Sequence, residues 1–207
     1  MIMQVFPFVI LAVSAKDWAQ IGSNIDGEAE YDYSGFYVDT SSDGLTVAIG
    51  ARENDGNGVK SGHVRVYRNS GKPGADWIQL GADIDGETAY DESGHVAISS
   101  DGLIVAVGAT RNSGNGSASG HVRVFRHTGV EGTNWTQRGS DIDGEAPYDY
   151  SGNVAISSDG FTVAIGARFN GGNGTNSGHV RVYKFDETDW IQLGNDIDGE
   201  AEDDKYG

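Results

Sequence analysis

The sequence predicts an all-β fold: a partial β-propeller of about three four-stranded antiparallel blades, with a period of about 58 residues. Three observations carry this. Tryptophans stand at 18, 77, 135 and 190, so the repeat is paced at 59, 58 and 55 residues. Whole phrases recur between them: Ser-Gly-His-Val-Arg-Val at 61–66, 119–124 and 177–182, and Ile-Asp-Gly-Glu beginning at Ile25, Ile84, Ile142 and Ile197. Each period holds four short runs rich in Val, Ile and aromatic residues, and no stretch shows a helical period.

In the middle copy the runs are 95–100, 103–109, 121–126 and 135–142. Asp101-Gly102 joins the first two, because Gly turns through positive φ without a Cβ clash. Asp43-Gly44 and Asp159-Gly160 repeat the device. The second run, Ile104-Val105-Ala106-Val107-Gly108-Ala109, is apolar on both faces, as in a strand covered by a neighbouring sheet on each side. The fourth alternates: in the copy before it Ile78, Leu80 and Ile84 fall on one side, and Trp77, Gln79 and Asp83 on the other. A β-solenoid would need much shorter coils. An immunoglobulin-like sandwich would need about 7 strands in about 100 residues.

Residues 1–17 read either as a short signal peptide or as a degenerate strand. Val13-Ser14-Ala15 resembles a signal-peptidase site, but no basic residue precedes the apolar run, and 9–18 resembles 180–190. Residues 18–207 are repeats with breaks near 76/77, 134/135 and 189/190. No segment reads as a membrane span, so membrane insertion is not expected.

Glycine takes 32 of 207 places and proline 3, a turn-rich composition. The 31 acids against 14 bases give a net charge of −17, which excludes a nucleic-acid partner and favours cations or basic ones. With no cysteine, thiol catalysis, disulfides and zinc–thiolate sites are excluded.

Three further marks recur. Ser34-Gly35, Ser93-Gly94 and Ser151-Gly152 precede the first run, with Tyr206-Gly207 in the corresponding place after the third copy. Gly50-Ala51-Arg52, Gly108-Ala109-Thr110 and Gly166-Ala167-Arg168 end the second. Gly-x-Val-x-Val-Tyr/Phe makes the third at 62–67, 120–125 and 178–183. In these marks residues 18–207 resemble the FG-GAP repeat family, the blades of integrin α-subunit propellers and of many microbial surface proteins. The family's Phe-Gly and Gly-Ala-Pro have lost their Phe and Pro here, as in a divergent branch. The resemblance implies a seven-bladed parent, so three blades would be a fragment of a longer propeller; the alternative is a ring closed by self-association. It also implies a secreted or cell-surface location and a non-catalytic binding or adhesion role. The family's calcium loop in the first hairpin is not carried over, because Asp43, Asp101 or Asp159 is the single carboxylate there and calcium needs roughly 6–8 oxygens.

A different acidic loop leads from each fourth run into the next copy. It holds Asp83, Asp85, Glu87 and Asp91, then Asp141, Asp143, Glu145 and Asp149, then Asp196, Asp198, Glu200 and Asp204. The earliest copy has Asn24, Asp26, Glu28 and Asp32. Four crowded carboxylates read as a calcium site, or as a solvated turn whose Asp residues cap backbone N–H groups. The Asn/Gly-rich loops 54–62, 112–120 and 170–178 fall on the same propeller face, which makes that face the expected surface for a protein or glycan ligand. His63, His121 and His179 read as caps of strand starts, and the four tryptophans as packing residues rather than a sugar platform. Asn115, Asn134 and Asn173 begin glycosylation sequons. No nucleophile elbow, Walker loop or HExxH motif is present, so no enzyme is expected. Two functions remain open: an extracellular binding module, or a scaffold in a larger enzyme or receptor whose chemistry lies elsewhere. Open end faces should make the chain pair with further blades or with itself.

Overall fold

The computed structural model describes residues 19–207, so the readings for 1–17 and Trp18 lie outside the described residues. The chain builds three successive antiparallel sheets, and no helix occurs among the described residues. The first holds β1 (Ser34–Thr40), β2 (Thr46–Ala51), β3 (His63–Asn69), β4 (Trp77–Gln79) and β5 (Ile84–Asp85). The second holds β6 (Ser93–Ile98), β7 (Ile104–Ala109), β8 (His121–Arg126), β9 (Thr136–Gln137) and β10 (Ile142–Asp143). The third holds β11 (Asn153–Ile156), β12 (Thr162–Ala167), β13 (His179–Phe185), β14 (Trp190–Gln192) and β15 (Ile197–Asp198).

Three strands of each sheet lie where the runs of Val and Ile place them. The fourth run does not form one strand. In every copy it makes two short pieces, both paired to the third strand, as β4 and β5 are to β3. The interruption is Gly81, Gly139 or Gly194, each at a φ between 73° and 75°, which turns the chain out of the ladder. The expected apolar face is not uniform either: Leu80 and Ile84 are buried, but Ile78 is 67% exposed.

The Ser-Ser-Asp-Gly hairpins close on their own side chains. Asp101 Oδ1 accepts from Ser99 Oγ at 2.6 Å and from the Leu103 amide at 2.9 Å, and Gly102 takes φ 71°. In the equivalent turns these same bonds hold the Asp43 and Asp159 carboxyls below the usual range. These carboxylates are spent on the turn.

The sheets pack face to face. One core joins Ala48, Val64, Val66, Leu80 and Ile84 of the first unit to Ile98, Val105, Val107 and Phe125 of the second. The other joins Ile104, Ala106, Val122, Val124 and Ile142 to Val163, Ile165, Tyr183, Phe185 and Trp190 of the third. Alternation along β7 therefore sends Val105 and Val107 to one neighbour, Ile104 and Ala106 to the other. Each indole N–H reaches back one unit: Trp77 to the Ile21 carbonyl, Trp135 to that of Leu80 and Trp190 to that of Arg138, at 2.7–2.8 Å. The outer face of β1, by contrast, leaves Phe36 and Val38 exposed.

Where β6 lies against β1 and β2, and the chain at β11 against β6 and β7, the backbones come close. The Gly94 carbonyl lies on Gly50 and the Gly152 carbonyl on Gly108, where any Cβ would overlap it. Gly108→Ala should therefore cost about 3 kcal/mol, the upper end for overpacking, since a backbone atom must give way. Gly132→Ala, whose Cβ meets nothing within 4 Å, should cost only about 1 kcal/mol for its positive φ. Urea denaturation of both variants checks the difference.

Candidate functional site

Strand alternation sets the site. In β3 the side chains of Val64 and Val66 enter the core, so His63 and Arg65 fall on the opposite face. That face looks at the acidic loop arriving from the preceding unit. Arg65 Nη2 donates to the Asp26 carbonyl at 2.8 Å; Arg123 and Arg181 donate to the Asp85 and Asp143 carbonyls at 2.6 Å. Each guanidinium also lies over the aromatic ring two residues on, Tyr67, Phe125 or Tyr183.

The docked loop brings a glutamate to the histidine. His63 Nδ1 lies 3.8 Å from Glu28 Oε2 and 3.8 Å from Asp83 Oδ2 of its own unit's loop. His121 stands 3.8 Å from both Glu87 and Asp141, and His179 3.6 Å from both Glu145 and Asp196. All three ligand atoms of each group lie within 4.8 Å of one another. The histidines are buried at 1% exposure, whereas the glutamates and aspartates open to solvent.

The second oxygen of each carboxylate is held from behind. Gln79, Gln137 and Gln192 donate to Oδ1 of Asp83, Asp141 and Asp196 at 2.6–2.7 Å. Arg65, Arg123 and Arg181 lie 3.5–3.7 Å from Oε1 of Glu28, Glu87 and Glu145. Oδ2 and Oε2 are thus left facing the imidazole. Burial, then the Arg123 charge, pushes His121 down to about 4, so it is neutral at pH 7. Partial burial, then Asp83, raises Asp85; partial burial, then Asp141, raises Asp143; Glu87 is raised chiefly by burial.

The four carboxylates of one loop therefore do not converge on a single ion. Asp83 faces His63 of its own unit, while Glu87 faces His121 of the next. Asp85 sits opposite His63 in the β3–β5 ladder with an exposed side chain, and Asp143 and Asp198 repeat it. The fourth acid is a structural cap. Asp91 accepts from the Thr88 amide and hydroxyl and from Asn112 Nδ2; Asp149 accepts from the Ala146 amide and Asn170; Asp32 accepts from the Ala29 amide and Asn54. Asp204 caps the Ala201 amide at the surface, and the exposed Glu200 belongs to none of the three groups.

The Asn/Gly loops meet the acidic loops, as expected of one shared face. Asn57, Asn115 and Asn173 donate through Nδ2 to the carbonyls of Gly86, Gly144 and Gly199. The sequon nitrogens of Asn115 and Asn173 are thus already engaged. Strand-start capping describes the histidines incompletely, because each has its own pair of carboxylates.

Comparison with models of protein families and with curated proteins finds no match.

Asp91 and Asp204 occupy the same position in two of the acidic loops, one 2% exposed and the other open. Asp91→Ala should destabilise by about 1–3 kcal/mol, because it strands the buried Asn112 amide. Asp204→Ala should stay within about 0.5 kcal/mol. Chemical denaturation of the two variants makes the comparison.

Proposed function

We propose that the chain is a non-catalytic binding module, a run of FG-GAP-like propeller blades working outside the cell or at its surface. Its loop face would meet a protein or glycan ligand. The observation that carries this reading is repetition: the Glu–His–Asp–Arg–Gln constellation recurs in three successive sheets. Enzymes concentrate their chemistry in one asymmetric cluster, whereas equivalent patches at regular intervals suit multivalent contact. The propeller part of the proposal is supported by sheets stacked in chain order, with their first strands together at one edge. The surplus of 31 acids over 14 bases would draw in basic surfaces and speed encounter.

Asp85, Asp143 and Asp198 present exposed carboxylates at equivalent places on this face. The chain, applied to arrays of extracellular glycans and matrix proteins, should retain a ligand. Replacing all three by Asn should weaken that retention tenfold or more, as expected when several weak contacts are lost together. Glu131→Gln, at an exposed loop between β8 and β9, should leave it unchanged. A folded chain that retains nothing, or retention indifferent to the triple substitution, would contradict the proposal.

A further inference from the structure

His63, His121 and His179 are buried imidazoles whose polar atoms are poorly served. Nε2 has no hydrogen-bond partner in any of the three. Nδ1 points between two carboxylate oxygens at 3.6–3.8 Å, beyond hydrogen-bonding distance. The enclosed Nε2 carries the cost of a buried polar atom without a partner, and Nδ1 is left free to act as a ligand in all three units.

We propose that each Glu–His–Asp group is a site for one divalent transition cation of the zinc class. The chain would carry three: Glu28–His63–Asp83, Glu87–His121–Asp141 and Glu145–His179–Asp196. The donor set is one imidazole nitrogen and two carboxylate oxygens, which is zinc chemistry with a fourth position for water. Ligands at about 2.1 Å from a tetrahedral centre stand about 3.4 Å apart. The observed histidine–carboxylate distances of 3.6–3.8 Å need only a few tenths of contraction, and the two carboxylate oxygens, within 4.8 Å of each other, close by about 1.4 Å at most.

The carboxylates are held as a coordinated cation requires. Gln79 and Arg65, with their counterparts, hold the outer carboxylate oxygens and leave the inner ones directed at the site. Two carboxylates against one guanidinium leave each group at a formal −1, so an entering divalent ion meets net negative charge. Coordination would give Nδ1 its missing partner. The carboxylates open to solvent, so an ion can enter without unfolding. Calcium fits poorly, because it prefers roughly 6–8 oxygen donors and avoids nitrogen. The sites also bridge units, since each glutamate arrives on the preceding loop. Metal would therefore tie neighbouring sheets together. This inference does not depend on the ligand-binding reading, because it is tested with the metal alone.

The experiment is calorimetric titration of the chelator-stripped full chain with zinc chloride, in physiological salt and about hundredfold excess calcium. Three equivalents should bind, and cobalt(II) in place of zinc should give the visible absorption of a low-coordinate nitrogen–oxygen site. His121→Gln should reduce the stoichiometry from three to two, and so should Glu87→Gln, whose exposed carboxylate can change without disturbing the core. Glu131→Gln should leave three. If His121→Gln fails to fold, Glu87→Gln decides the matter. The absence of zinc binding, displacement by calcium, or an unchanged stoichiometry in Glu87→Gln would overturn the proposal.

Discussion

The structure depends on burial of the middle sheet's second strand, β7, from both sides. A strand such as Ile104–Ala109 has no polar face to offer water, so its sheet cannot satisfy it alone. One neighbour covers Val105 and Val107, the other Ile104 and Ala106, and full burial of each branched side chain is worth about 1.5–3 kcal/mol. Close approach is then obligatory, and Gly50 and Gly108 permit it where a carbonyl from the next sheet lies on the α-carbon. The repeat in the sequence is thus a repeat of incomplete parts.

The polar groups obey the same rule. Each arginine at 65, 123 and 181 holds a carbonyl of the preceding acidic loop, and each indole at 77, 135 and 190 holds another carbonyl one unit back. These bonds deliver a glutamate to a histidine that its own sheet supplies with only an aspartate. The candidate site is consequently an inter-unit feature. Its geometry reports whether two sheets are docked, and any ion held there would favour the docked state by binding it alone.

Much of the architecture was legible in the sequence because hydrophobic alternation and turn chemistry are local. Val and Ile in 104–109 and the Asp101-Gly102 turn name a hairpin and a doubly covered strand without reference to anything distant. The fourth strand was misread across Gly81, because alternation on either side of a glycine does not show that the ladder is continuous through it. The site was half legible. Asp83, Glu87 and their counterparts stood out by density, but density suggested one ion per loop. The loop instead divides its carboxylates between two histidines about 58 residues apart, a partition fixed by sheet stacking. The signal available beforehand was the recurring company of His63 with Arg65, and of Gln79 with Asp83, in three copies.

Native-state hydrogen exchange tests the dependence of each sheet on its neighbours most directly, because it reads the protection of individual strands in the intact chain. The account predicts that the amides of β7, covered on both faces, exchange more slowly than those of β2 and β12, and far more slowly than those of the exposed β1. Amides of β7 exchanging as fast as those of β1 would contradict it.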